Sequence, residues 1–105
     1  MLSPQSAEGP AWTFLTNHAH VLICIARDPG IRTRDLAVLI GITERAVQRI
    51  IADLVAEQYI MRERHGRRNR YVVRHTLHLR HPIEAQRRVI DLLALVGDVI
   101  PQCSG

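Results

Sequence analysis

The chain has 105 residues, which is room for one compact domain with a modest core and not for two. Hydrophobic residues at 47% exclude global disorder, and aromatics at only 4% mean that Leu, Ile, Val and Ala must build the core, a composition that leans helical. All 14 basic residues are Arg, against 10 acidic ones; the net charge of +4 and the planar, bidentate guanidinium donors favour a polyanionic partner.

In chain order, residues 1–11 are rich in Ser, Pro, Gly and Gln and are expected to be a loose segment. A domain is expected over 12–97 and a tail over 98–105. A first helix starts near Thr16 or Asn17, either of which can cap it. Leu15, Val21, Leu22, Ile25 and Ala26 give it an apolar side, and Asp28-Pro29-Gly30 ends it with a turn. A second helix runs from Thr33 to Ile40 and stops at Gly41. Thr43 caps a third, from Glu44 to about Glu57.

The period then changes. Tyr59 to Arg64 and Arg70 to Arg74 read as two short strands, with residues 65–69 as the hairpin tip. Pro82 is expected to open a last helix that runs to about Val96 and ends at Gly97. Between Arg62 and Arg88 there are nine Arg and only two carboxylates, Glu63 and Glu84. Charge alone fits either a solvated surface or a nucleic-acid site.

The segment Thr33 to Ala52, TRDLAVLIGITERAVQRIIA, carries the sharpest signal. Two helices crossing steeply through a tight turn need a small residue at the crossing, which is Ala37. They need a residue tolerant of left-handed φ in the turn, which is Gly41. Leu36, Ile40, Ile42, Val47 and Ile50 plug the angle. On the third helix Val47, Ile50, Ile51 and Leu54 form one stripe at helical spacing; Arg45, Gln48, Arg49 and Ala52 form another, two residues earlier. That offset is about 200° around the helix, so the stripes lie on opposite sides. An ordinary helical hairpin shares the stripes but not the joint placement of Ala37, Gly41 and the apolar plugs.

On these residues, RDLAVLIGITERAVQRIIADLVAEQYI followed by RERHGRRNRY, the chain resembles the winged helix-turn-helix regulators of the broad MarR-like and ArsR-like kind. The resemblance covers roughly Leu15 to Val96. It implies an α+β, mainly α fold: a three-helix core, a two-stranded wing and a C-terminal helix. It also implies a sequence-specific double-stranded DNA-binding regulator, more often a repressor, with the third helix as the recognition helix. Most such chains have Gly where this one has Gln58, which calls either for positive φ there or for a different helix end.

A helix of this kind fits the major groove. Arg45 and Arg49 could hold guanine in bidentate fashion or pin phosphates, and Gln48 could pair with adenine. Glu44 could accept from cytosine or only stabilise the helix start. Thr33 and Thr43 are candidates for phosphate contacts. Arg67 and Arg68 at the wing tip, with Arg62, Arg64 and Arg70 on its strands, would reach a flanking minor groove or the backbone. Ile83, Val89, Ile90, Leu92, Leu93 and Val96 give the last helix a second apolar face, suited to a homodimer or to packing within the domain.

His75, His78 and His81 could suggest a metal, but no Cys and no nearby carboxylate before Glu84 closes a ligand set, and no metal or other cofactor is expected. His18 and His20 point different ways from the first helix. Cys24 reads as a buried thiol and Cys103 lies in the expected tail, so no disulfide framework is suggested and a reducing cytoplasm is expected. No apolar stretch reaches transmembrane length, and an N-terminus with Pro4, Pro10 and no basic start does not read as a signal peptide. No catalytic constellation appears, so the chain is not expected to be an enzyme. An alternative use of the same scaffold is a protein-interaction module whose basic wing binds an acidic partner. A further one is binding of RNA or non-B-form DNA, weakened by the lack of a base-stacking aromatic set.

Overall fold

The computed structural model describes residues 11–96. Three helices come first, α1 (Asn17–Arg27), α2 (Thr33–Ile40) and α3 (Glu44–Ala56). An antiparallel hairpin of β1 (Ile60–His65) and β2 (Arg68–Val73) follows, then α4 (Val89–Leu95). This is a winged helix-turn-helix, α+β and mainly α. The expectations for residues 1–10, for Gly97 and the tail at 98–105, and for Cys103 fall outside the described residues.

Local chemistry explains the helix ends. The Thr16 hydroxyl accepts from the Ala19 amide at 3.3 Å, and the Thr43 hydroxyl from the Ala46 amide at 3.0 Å. Each satisfies one of the amides left without a partner in a first helical turn. Gly41 takes up φ 85° and ends α2, and both its amide and that of Ile42 donate to the Ala37 carbonyl. At the end of α3 the left-handed residue is Gln58, at φ 67°. Of the two possibilities read from the sequence, positive φ at a side-chain-bearing residue is the one realised. The Tyr59 amide then donates to the Leu54 carbonyl, which turns the chain into β1.

The core gathers residues from every element. Val21, Leu22 and Ile25 of α1, Leu36 and Ala37 of α2, and Val47, Ile50, Ile51 and Leu54 of α3 are buried. Ile60 and Tyr71 cover them from the hairpin, and Val89 and Leu93 from α4. No helix of the described residues is long and apolar enough to cross a membrane.

Two expectations need correction. The strands lie nearer the tip than expected, at Ile60–His65 and Arg68–Val73 in place of Tyr59–Arg64 and Arg70–Arg74, because Arg68 pairs with His65. Only Gly66 and Arg67 form the turn, with Gly66 at φ 64°, the conformation that a two-residue hairpin turn requires at its first position. The last helix starts at Val89 and not at Pro82. The preceding stretch folds into a small loop instead: His78 and Arg88 bridge antiparallel, Leu79 N donates to Arg87 O, and Val89 N donates to Leu77 O. These bonds place Leu77 and Leu79 against the core, which takes precedence over the helix-starting preference of Pro82. Arg88 caps the shorter helix through its amide, which donates to Asp91 Oδ2 at 2.9 Å.

Two substitutions at the left-handed positions should move stability in opposite directions. Gly41→Ala meets no atom within 4 Å, so its cost is backbone strain alone, about 1–2 kcal/mol. Gln58→Gly relieves the same strain but adds unfolded-state freedom, so it should gain less than about 1 kcal/mol. Urea denaturation of both variants checks the pair of signs.

Candidate nucleic-acid interface

Helix α3 is two-sided as its stripes predict. Val47 is fully buried and Ile51 nearly so, with Ile50 and Leu54 beside them, while Arg45, Gln48, Arg49 and Ala52 are exposed. The side chains of Arg45, Gln48 and Arg49 have no hydrogen-bond or ion-pair partner among the described residues. Three long polar side chains therefore stand free on one side of a helix whose other side is fixed. A helix of this diameter, about 10–12 Å, matches a DNA major groove about 12 Å wide. His18 of α1 reaches Asp53 of α3 at 2.8 Å, while His20 Nδ1 meets Asn17 Oδ1 on its own helix at 3.1 Å, so the two histidines do diverge.

The wing divides its Arg residues by face. Arg62 stands opposite Tyr71 in the register and Arg64 opposite Asn69, so these four share the side that carries buried Ile60. Arg68 and Arg70 lie on the other side with Met61 and Val72. All five wing Arg are exposed, with Arg67 in the turn itself. Two local contacts touch this set: Arg64 Nε donates weakly to the Gly66 carbonyl at 3.4 Å, and Arg68 donates to the carbonyl of Gly30.

Between the wing and the start of α2 runs an open cleft of about 460 Å³. Arg32, Thr33 and Arg34 form one wall, Arg67, Arg68 and Asn69 the other; Gly30, Ile31 and Tyr71 line it between them, and Glu44 of α3 is at its border. No side chain caps α2, whose N-cap is Arg32, so its first amides have no side-chain acceptor at this cleft. The candidate residues thus fall into three groups: Arg45, Gln48 and Arg49 on α3; Thr33, Glu44, Arg67 and Arg68 around the cleft; and Arg62, Arg64 and Arg70 along the strands. Thr43 is exposed, and its hydroxyl is engaged as the α3 cap.

Residues 13–70, from just before α1 into β2, match a family model described as MarR family, and they make up more than half of the 105-residue chain. The chain belongs to the MarR family. Members are DNA-binding transcriptional regulators, and that is the broad class of this protein. No curated protein matches the chain.

Three features of this MarR-family chain were not read from its sequence. The Pro29-Gly30 turn, taken only as a helix stop, also holds the wing: the Tyr71 amide donates to the Pro29 carbonyl at 3.0 Å. A second hollow, of about 280 Å³, lies away from the Arg-rich cleft, lined largely by Phe14, Leu15, Leu22, Leu54, Leu79 and Leu92. Tyr59 and Arg80 also line it; burial pushes the Tyr59 phenol above its ordinary pKa range, against the pull of Arg80, and its hydroxyl donates to the His78 carbonyl at 2.6 Å. Trp12 and Phe14 stack edge to face with ring centroids 4.9 Å apart, and both are exposed. Leu15, Leu22, Leu54 and Leu92 belong to apolar stripes visible in the sequence, but Trp12, Phe14 and Leu79 lie outside any helical period, so their convergence on one hollow was not.

Of the three histidines between β2 and α4, two are engaged locally. His78 Nδ1 donates to the Ala85 carbonyl at 2.8 Å, and His81 Nδ1 accepts from the Ile83 amide at 3.1 Å. Among the described residues no three His, Cys, Asp or Glu come together as a metal site. Cys24 is half-buried, and burial pushes its thiol pKa up, opposed by Arg27.

The two sides of α3 should respond differently to truncation. Ile51→Ala should cost about 2–5 kcal/mol of stability. Arg45→Ala and Arg49→Ala should each stay within about 0.5 kcal/mol of the parent. Thermal denaturation of the three variants measures the contrast.

Proposed function

We propose that this protein binds double-stranded DNA sequence-specifically, with α3 in the major groove and the Arg-rich wing on a flanking minor groove or the backbone, and that it acts as a repressor. The observation that carries this reading is the free Arg45–Gln48–Arg49 side of α3, which neighbours the Arg-lined cleft. Arg49 and Arg45 then meet guanine edges or phosphates, and Gln48 meets adenine. Glu44, at the border of the cleft, accepts from cytosine or orders the helix start. Thr33, Thr43 and the uncapped α2 amides face the backbone. Arg67 reaches beyond the turn, with Arg62, Arg64, Arg68 and Arg70 adding positive potential behind it. Occupancy of an operator is sufficient for repression. The reducing cytoplasm is the compartment where such a protein works.

We further propose a homodimer built on the side of the molecule that carries α4. Val89 and Leu93 are spent inside the domain, and Ile83 lies outside the helix, so the pairing surface differs from the stripe read in the sequence. What is available is a continuous apolar strip. It runs from exposed Phe14 across the hollow to Leu79 and Leu92, and on to exposed Leu95. Exposed apolar surface of this kind, rimmed by Arg80, Glu84, Arg87 and Asp91, is typical of an association site.

Selection of duplexes from a random library, followed by binding across a salt series, tests the DNA reading. A selected site should be preferred over random duplex, and the preference should survive rising salt. Arg49→Ala should cost about 1–3 kcal/mol on that site and relax its sequence. Arg67→Ala should weaken all duplexes alike and lower the salt slope by about 1. Equal affinity for every duplex would remove the specific-regulator reading. Light scattering at micromolar concentration should give a dimer, and Leu95→Asp should give a monomer; a monomeric parent would remove the pairing proposal.

A further inference from the structure

Arg68 differs from the other wing arginines in what it touches. Its guanidinium crosses from β2 to the turn between α1 and α2 and donates to the Gly30 carbonyl. A Cβ placed on Gly30 would lie 4.0 Å from the Arg68 guanidinium and 3.8 Å from that of Arg70, so both side chains lie over this turn. The turn is itself held by Asp28, whose carboxylate accepts from the Gly30 amide at 3.3 Å. One residue along, the Tyr71 amide donates to the Pro29 carbonyl, on the edge of β2 that does not pair with β1. The wing is therefore tied to the helical core by one backbone bond and one side-chain bond, at adjacent carbonyls. Arg67, one residue before Arg68, has no partner among the described residues and lines the same cleft.

We propose that Arg68 is a positioning residue: by bonding the Gly30 carbonyl it fixes the wing against the α1–α2 turn and sets the width of the cleft, leaving the phosphate contact at the tip to Arg67. The second half of this inference rests on the DNA-binding reading; the first half does not. Buried Ile60 and Tyr71 hold the base of the hairpin, whereas residues 61–70 are exposed and that half of the wing can splay unless a bond restrains it. With Arg68 in place, the spacing between the Arg67 tip and the α3 side is constant, and less ordering is required when the duplex arrives.

The test uses the full chain as wild type, R67A, R68A, R68K and the double variant R67A/R68A. Amide exchange at Tyr71, followed by NMR without DNA, should be roughly fivefold faster in R68A and in the double variant, about the factor that one ordinary hydrogen bond represents. It should be unchanged in R67A and should return toward the wild-type rate in R68K, which keeps a donor of similar reach. Affinity for a random-sequence duplex should fall in both R67A and R68A, and the loss in the double variant should be clearly less than the sum of the two, because part of the effect of Arg68 acts through Arg67. Unchanged Tyr71 exchange in R68A would overturn the brace. Additive losses in the double variant would overturn the division of roles, since two independent phosphate contacts add. Should wild type bind no duplex, the DNA reading and the role of Arg67 fall together, and Tyr71 exchange still decides whether Arg68 braces the wing.

Discussion

The one-sided anchoring of α3 is the constraint on which the interface depends. Val47, Ile50, Ile51 and Leu54 are buried against α1, α2 and the hairpin, and burying an aliphatic side chain contributes about 1.5–3 kcal/mol each. No comparable force acts on the opposite side, where Arg45, Gln48 and Arg49 remain solvated. The helix cannot roll without exposing its aliphatic row, so the polar row keeps a fixed outward direction. The His18–Asp53 contact adds little to this, since both side chains are about half exposed, at 48% and 53%. Orientation comes from the core, and the charged side chains are left for a partner.

The wing is oriented by a different means. Ile60 and Tyr71 pack its base against the core, but beyond them its residues are mostly exposed, and packing does not hold its tip half. What adds to that hold is hydrogen bonding to a turn far away in sequence, at Pro29 and Gly30. The cleft beside that turn brings the starts of α2 and α3 close to the hairpin tip. A short turn thus relates two parts of the interface that are separated by more than thirty positions along the chain.

Much of this architecture was legible from residue order, because it rests on local chemistry. Thr16, Gly41 and Thr43 mark helix ends by bonds to near neighbours, and the two α3 stripes follow from helical periodicity alone. What was hidden depends on distant partners. The Pro82 segment carries a sound helix-start signal, yet the pairing of His78 with Arg88 and the packing of half-buried Leu77 and Leu79 on the core keep it out of α4. The hairpin tip is tighter than its polar run suggested, because His65 and Arg68 pair despite being exposed. Gln58 shows the converse: its departure from glycine was visible, but only the fold decides that left-handed φ is retained there. For the interface, the type and placement of the α3 and wing residues could be read, whereas the tie from Arg68 to Gly30 could not.

The edge-to-face pair of Trp12 and Phe14 has a practical consequence. Trp12 is the sole tryptophan of the chain, and it is 65% exposed beside Phe14 at the start of the apolar strip. Intrinsic indole fluorescence is therefore a local reporter of that corner. Its emission wavelength registers whether water is displaced from the strip.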